Sequence, residues 1–160
     1  MKALPPRSTA RRPNQSLCRR PRCVRQQINF PVSIKGVLVE AGRVVLLENE
    51  RDEWELPGGR LEPGEAPETC LAREFAEALG AVVEVTRIID CWLYEVLPQR
   101  EVVIITYGVK RSDEGELRVI ISHEHRRFGL FTPHEIESLL MPEGYRRSIW
   151  AWSGSLDQHQ

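Results

Sequence analysis

A 23-residue window, 59–81, constrains the fold of this chain more than any other part of its sequence. It begins at the end of the turn Pro57-Gly58-Gly59, where two glycines after a proline indicate a tight backbone excursion. Pro67 suits the first turn of a helix and Gly80 suits its C-terminal end, so the spacing predicts a helix over 67–79. Three apolar residues recur every four positions along it and form one stripe for a core: Leu71, Phe75 and Leu79.

The same predicted helix carries acidic residues on its other face. Residues three and four positions apart share a helix face, so Glu74, Glu77 and Ala78 point the same way, and Glu65 precedes the helix. Carboxylate oxygens are the hard ligands that Mg²⁺ and Mn²⁺ prefer. Arg73 and Glu77 are also an ordinary i,i+4 ion pair, and exposed acids on a helix need no function. A plain solvated face is therefore the alternative.

The whole pattern resembles the signature of the Nudix hydrolases. That signature reads Gly, five residues, Glu, seven residues, then Arg-Glu-apolar-any-Glu-Glu-any-Gly-apolar, and Gly59, Glu65 and the segment 73–81 fit it. The one exception is Ala78, which stands where the pattern has the second Glu of the pair. The resemblance implies an α/β (α+β) fold, the Nudix-type α/β/α sandwich with a central mixed sheet. It also implies metal-dependent hydrolysis of the pyrophosphate bond in a nucleoside diphosphate linked to another moiety.

Carried over position by position, the resemblance implies roles for named residues. Glu74 and Glu77 are expected to be catalytic, Glu74 as a metal ligand or as the base acting on water, and Arg73 is expected to hold the acidic cluster in place. Glu124 is the candidate for an additional glutamate that family members often supply after the last strand. The expected ligands of Mg²⁺ or Mn²⁺ are Glu74, Glu77, Glu65, Glu124 and the carbonyl of Gly59.

Ala78 keeps two functions open. The loss of a carboxylate removes a ligand and a unit of negative charge, so metal affinity should fall. The first hypothesis is an active pyrophosphohydrolase that acts on ADP-ribose, a nucleotide sugar, a dinucleoside polyphosphate or a nucleoside triphosphate. The alternative is a catalytically impaired Nudix fold that binds a nucleotide or metabolite without hydrolysing it.

Substrate contacts are expected outside the signature, at aromatic residues that stack on a base and at arginines that contact phosphate. The main candidates are Trp54, Tyr94 and Phe128 for stacking, and Arg51 and Arg60 for phosphate. A wider set shares the same chemistry: Trp92, Arg100, Arg126 and Arg127. Taken alone, each is more simply explained by packing or as a solvated charge. His123 and His125 flank Glu124, as surface residues, phosphate contacts or a transition-metal pair.

The chain divides by charge. The first 35 residues hold nine basic and no acidic residues, which leaves thirteen basic and 23 acidic residues for the rest. We predict a basic, disordered tail at 1–29, a folded domain at 30–153 and a polar tail at 154–160. The basic tail is a targeting presequence, a nucleic-acid-binding arm or sequence translated from an early start. The acidic body argues against nucleic-acid binding except through that tail. The partner that the resemblance implies is a small nucleotide-derived substrate.

Composition excludes some settings. No stretch approaches the ~18 consecutive apolar residues that span a bilayer, so no membrane partner is expected. The four cysteines do not form the two close pairs of a structural zinc site, which favours a reduced, cytoplasmic setting. Trp150 and Trp152 either cap the core or meet a partner subunit, so a homodimer is an open alternative.

The remaining pattern predicts strands, one helix, further strands and two more helices, in a single domain without internal repeats. Predicted strands cover 32–39, 43–47, 54–56, 82–85, 88–96, 102–109 and 117–121, with turns at 41–42 and 97–101. Predicted helices follow at 133–140, with Thr132 as N-cap, and from 142 or 143 to 152.

Overall fold

The computed structural model describes residues 29–113, 117 and 125–156. The strands within them are β1 (Val32–Glu40), β2 (Arg43–Asn49), β3 (Trp54–Glu55), β4 (Gly58–Arg60), β5 (Val83–Leu97), β6 (Arg100–Arg111) and β7 (His125–Phe131). The helices are α1 (Pro67–Leu79), α2 (Pro133–Ile136) and α3 (Glu143–Leu156). None of these helices is long and apolar enough to cross a membrane.

The strands form a mixed sheet whose main order is β3-β2-β1-β6-β5. β1 runs parallel to β6 and antiparallel to both β2 and β4. β1 and β2 pair only beside their turn, where Val39 faces Val44 and Glu40 faces Arg43. Farther from the turn, β1 pairs with β4 and β2 pairs with β7. The start of β1 therefore lies directly beside the glycine turn that opens the 59–81 window.

Alternation along the strands supplies a hydrophobic core on each side of the sheet. Ile34 and Leu38 of β1 face one side, where they pack with Phe75 of α1. Val37 faces the other side, where it packs with Ile149 of α3. We call these two clusters the α1-side core and the α3-side core. A sheet covered by helices on both faces is the predicted α/β/α sandwich, so the predicted fold class is confirmed.

The first and last helices follow the sequence pattern closely. α1 has Pro67 in its first turn, and Gly80 closes it in a left-handed conformation. α3 begins where predicted and continues to Leu156, four residues beyond the predicted end. Trp152 is buried in the α3-side core and Trp150 packs against that core, so both cap the core.

β5 differs from its prediction because it is one strand of 15 residues where the pattern indicates two. The polar pair Thr86-Arg87 interrupts the apolar alternation between the two predicted segments. In the structure the pairing of β5 with β6 shifts register between Val85 and Ile88. A bulge therefore absorbs the polar pair without ending the strand.

α2 is shorter than predicted. It begins at the predicted Thr132 cap, whose hydroxyl accepts from the Glu135 N–H while the Glu135 carboxylate accepts from the Thr132 N–H. It ends at Ile136 instead of continuing to 140. Beyond the helix, the Leu140 carbonyl accepts a hydrogen bond of 2.8 Å from the N–H of Trp54 in β3.

The sequence pattern misses β7, since the strand starts with three basic residues and contains a glycine. Its register along β2 runs from His125 beside Asn49 to Phe131 beside Val44. The predicted strand 117–121 lies outside the described residues except for Leu117, as do residues 1–28 and 157–160 of the two predicted tails.

Replacing Phe75 by alanine tests the α1-side core. The Phe75 side chain is 0% exposed, so its loss should lower the free energy of unfolding by about 3–5 kcal/mol. Val82→Ala is the control, because Val82 is 61% exposed and its truncation should change stability by less than about 0.5 kcal/mol. Urea unfolding followed by circular dichroism measures both. Equal effects would contradict the placement of Phe75.

Candidate active site

Arg73 binds all three carboxylates of the signature. Its Nε and Nη2 donate to the Glu65 carboxylate at 2.9 and 3.1 Å. Its Nη1 donates to Glu74 at 2.8 Å and to Glu77 at 3.4 Å. A guanidinium is a rigid, planar fork, so these bonds fix the acids around one point. The structure therefore brings together four of the predicted site residues: Glu65, Arg73, Glu74 and Glu77.

The acidic cluster carries an excess of negative charge, because three carboxylates share one guanidinium. The hydrogen bond from Arg73 lowers the pKa of Glu65 below its ordinary value. The same hydrogen bond raises the pKa of Arg73 above its ordinary value. Glu74 is 20% exposed and Glu77 is 62% exposed, so Glu77 keeps an open side toward solvent. Such a cluster attracts a divalent cation.

Gly59 makes room for Glu74. A Cβ built on Gly59 would lie 2.3 Å from the Glu74 Cδ, so the carboxylate occupies the space that any side chain here would fill. The Gly59 carbonyl also accepts a hydrogen bond of 3.3 Å from the Ser33 hydroxyl. Gly58 has φ +130°, and a Cβ there would lie 2.1 Å from the Ile34 carbonyl oxygen. The two glycines are therefore needed for different reasons. Gly58 allows the positive φ and the close approach of the Ile34 backbone, whereas Gly59 leaves space for the Glu74 carboxylate.

The donor set fits a divalent cation that is shared with phosphate. Glu74, Glu77 and the Gly59 carbonyl are all hard oxygen donors. Across the described ranges, no three Asp, Glu, His or Cys side chains are arranged to hold a metal ion by themselves. Mg²⁺ is usually held by one or two carboxylates together with substrate phosphates rather than by an all-protein cage. Glu74, Glu77 and the Gly59 carbonyl therefore suit a Mg²⁺ or Mn²⁺ ion that is also bound by the phosphates of a polyphosphate.

Two further residues bear on the metal site. Ala78, at the position of the missing glutamate, is half-buried and packs against the α1-side core. Glu124, the predicted replacement ligand, lies outside the described residues together with His123. Glu124 stays a prediction.

A cavity of ≈ 240 Å³ is lined in part by Arg60 of β4. Its walls come from β1, β3 to β6, the loop before β3 and the start of α3, and its lining residues are Pro31, Val32, Ser33, Lys35, Arg51, Glu55, Arg60, Tyr94, Val96, Val102, Ile104 and Tyr145. Three of the five main substrate candidates are among them: Arg51, Arg60 and Tyr94. The structure therefore gathers these three at one place.

Trp54 and Phe128, the other two candidates, do not line this cavity. Trp54 packs its ring edge-on against Phe131, with 4.6 Å between centroids, and Arg127 lies over it at 5.8 Å. Phe128 packs against the α1-side core. Of the wider set, Trp92 packs against Tyr145 at 5.1 Å. Packing accounts for these aromatic rings.

The loop before β3 is held by hydrogen bonds among its own residues, and it places Arg51 at the cavity wall. The Asn49 side-chain oxygen accepts from the N–H groups of Arg51 and Glu53 at 2.9 and 3.2 Å. The Glu53 carboxylate then accepts from the Arg51 Nε at 3.0 Å and from the Tyr94 hydroxyl at 2.9 Å. Glu53 therefore ties the two predicted contact residues together at the cavity wall.

Sequence reasoning missed Lys35 and Glu55, which line the same cavity. The Lys35 Nζ donates to the Gly58 carbonyl at 3.0 Å and lies 3.3 Å from the Glu55 Oε1. The His125 Nε2 lies 3.2 Å from the same oxygen. Burial opposes ionisation of Glu55, but the Lys35 ammonium and the His125 hydrogen bond outweigh it and lower its pKa to about 2. A lysine inside an otherwise apolar strand was the available signal.

Acid unfolding should report on Glu55. A carboxyl whose pKa falls on folding stabilises the fold above its ordinary pKa of 4.5, and that contribution is lost as the pH drops toward about 2. In this window the wild type should lose about 1 kcal/mol per pH unit more than Glu55→Gln. Urea unfolding at pH 6, 4 and 3 measures the difference. Parallel losses in the two proteins would show that Glu55 is not held in its charged form.

Comparison with known sequences identifies relatives of this chain. The family model described as NUDIX domain matches residues 30–151. A MutT-like protein of Streptomyces ambofaciens is 36% identical over 107 residues, which cover 66% of each chain. An RNA pyrophosphohydrolase of Pseudomonas fluorescens (strain SBW25) is 39% identical over 65 residues, covering 38% of this chain and 41% of the Pseudomonas protein. The chain thus spans 66% and 41% of the lengths of these two relatives.

A solved structure shares the fold. The MutT NUDIX hydrolase from Burkholderia pseudomallei superimposes with a TM-score of 0.68 at 22% identity, covering 78% of this chain and 98% of that one. The family match extends over the sheet, the first helix and most of α3. The chain therefore belongs to the NUDIX family.

Proposed function

We propose that this protein hydrolyses the pyrophosphate bond of a nucleoside diphosphate linked to another moiety, with Mg²⁺ or Mn²⁺ as cofactor. Candidate substrates are ADP-ribose, a nucleotide sugar, a dinucleoside polyphosphate and a nucleoside triphosphate. The observation that carries the proposal is the position of Glu74, which lies on Gly59 and shares Arg73 with Glu65 and Glu77. The membership in the NUDIX family and the names of the two sequence relatives support it.

The acidic cluster and the cavity adjoin, so one substrate can reach both. Arg60 lines the cavity, and its backbone carbonyl accepts from the Arg73 Nη2 at 3.5 Å. Ser33 also lines the cavity and donates to the Gly59 carbonyl. A nucleoside in the cavity therefore places its diphosphate across β4, beside the carboxylates. Arg51 and Arg60 are the cations available to its phosphate oxygens.

Each acidic residue has a part in this proposal. Glu74, Glu77 and the Gly59 carbonyl hold the cation, which when bound neutralises phosphate oxygens and lowers the pKa of an attacking water. Glu74 is either a ligand or the base that takes the proton of that water. Arg73 positions the carboxylates and does not contact substrate. Glu65 completes the hydrogen-bonding surface of Arg73.

Ala78 is the observation that favours a second candidate function. Position 78 supplies no carboxylate, and in this structure its side chain packs against the α1-side core. The second candidate function is binding of the nucleotide without turnover. In that case the nucleotide raises the melting temperature of the protein by mass action. A cytoplasmic location and a homodimer stay predictions.

The deciding experiment measures product release from a substrate panel with Mg²⁺ or Mn²⁺. The panel holds the four candidate substrates and, because one relative is an RNA pyrophosphohydrolase, a 5′-triphosphorylated RNA. Glu77→Gln should lower kcat/KM by about a hundredfold or more. Glu84→Gln is the matched control, because Glu84 is an exposed glutamate on β5 away from the site. Equal turnover in Glu77→Gln and wild type would contradict the assigned site.

Ala78→Glu separates the two functions. If the wild type hydrolyses a substrate, the added carboxylate should change the metal concentration needed for half-maximal rate. If the wild type shows no turnover and the Ala78→Glu variant does, the result favours the binding function. If Ala78→Glu and the wild type need the same metal concentration for half-maximal rate, the side chain at position 78 does not reach the metal.

Two adjacent glycines give a further test. Gly59→Ala should displace the Glu74 carboxylate, a mobile side-chain end, and so lower kcat/KM at least about tenfold with a small change in melting temperature. Gly58→Ala should destabilise the fold, because its Cβ meets the Ile34 backbone and its φ is +130°. Activity assays and thermal unfolding measure both variants. Loss of stability in Gly59→Ala with activity retained would overturn the assignment.

A further inference from the structure

Two charged side chains that line the cavity, Lys35 and Glu55, have no part in the proposed hydrolysis, and His125 contacts Glu55. Lys35 is 6% exposed, Glu55 is 14% exposed and His125 is 12% exposed, and all three meet at the Glu55 Oε1. A buried ion pair of this kind is weak evidence for stability, because apolar residues of similar volume often serve equally well. Its position on a cavity wall therefore points toward a ligand.

One oxygen of Glu55 is left for that ligand. Lys35 and His125 both approach Oε1. Within the part of the chain that the structure describes, no hydrogen bond reaches the Glu55 Oε2. Glu55 lines the cavity, and its side chain is 14% exposed. The cavity thus offers a charged hydrogen-bond acceptor whose position is fixed by two donors behind it.

The rest of the cavity suits one flat ring. Aliphatic walls come from Val96, Val102 and Ile104, and the Tyr94 ring adds an aromatic surface. Tyr94 is held in place by its hydroxyl bond to Glu53. The volume of ≈ 240 Å³ is below the ~300–1,000 Å³ of pockets that enclose a drug-sized molecule. A volume of this size accommodates a single ring system such as a nucleobase.

We propose that Glu55 determines base specificity by accepting a hydrogen bond from the exocyclic amino group of a nucleobase. An amino group donates a hydrogen bond to the carboxylate, whereas a carbonyl at the same ring position brings a lone pair that the carboxylate repels, and a ring C–H brings no comparable donor. The cavity accordingly selects adenine, cytosine or guanine nucleotides over uracil or hypoxanthine nucleotides. This inference rests on the proposed function only in taking a nucleotide as the ligand.

The test is binding of non-hydrolysable α,β-methylene nucleotides to the full chain with Mg²⁺, measured by isothermal titration calorimetry. Three pairs differ at an exocyclic amino group: adenosine against inosine and cytidine against uridine replace it by a carbonyl, and guanosine against inosine removes it. In at least one pair the amino-bearing nucleotide should bind about tenfold or more tightly, as a hydrogen bond to a charged acceptor implies. Equal binding within all three pairs, or no binding by any nucleotide, overturns the proposal.

Two variants assign the preference to Glu55. In Glu55→Gln the ratio should fall to about twofold or less, because an amide presents a donor as readily as an acceptor. Glu84→Gln is the matched control: Glu84 is an exposed glutamate on β5 that does not line the cavity, so the ratio should persist. A ratio unchanged in Glu55→Gln overturns the assignment. If Glu55→Gln does not fold, equal binding within the wild-type pairs still overturns the proposal.

The binding assay also separates this inference from the proposed function. Hydrolysis by wild type without any preference between the paired nucleotides overturns the role of Glu55 and leaves the hydrolase intact. A clear preference in binding without turnover of the substrate panel upholds Glu55 and removes the hydrolase. Neither result can be mistaken for the other, because the analogues are not cleaved.

Discussion

The close contact between Gly59 of β4 and the carboxylate of Glu74 on α1 is the constraint on which the site depends. It fixes how near the helix lies to the strand, and the distance leaves no space for a side chain at position 59. The rigid fork of Arg73 then connects Glu74 to Glu65 and Glu77 through four hydrogen bonds. The α1-side core, centred on Phe75, holds the other face of the helix against the sheet.

Much of this arrangement was predictable because it is local in sequence. The 3.6-residue period of α1 and the alternation along β1 determine which faces are apolar, and the spacing of Glu74 and Glu77 puts them on one face. What escaped prediction depends on partners far apart in the chain. Nothing near Glu55 reveals that Lys35 and His125 will meet its carboxylate from two other strands.

The same distinction explains the aromatic candidates. Composition identified rings able to stack on a base, but the difference between Tyr94 in the cavity and Trp54 against Phe131 arises from tertiary packing. The sequence pattern also failed to predict β7 and predicted too long an α2. β7 pairs with β2, and the chain beyond α2 bonds to β3 through Leu140 and Trp54, so the partners in both cases lie far apart in the sequence.

Lys35 links the two halves of the site through a single ammonium group. It donates to the Gly58 carbonyl on one side and faces Glu55 on the other, so the glycine turn and the cavity wall share one charge. Residues that share a partner do not contribute independently to stability or to binding. The effects of substitutions at Gly58 and Glu55 will therefore be non-additive, and a double-mutant cycle through Lys35 measures how strongly the two regions are coupled.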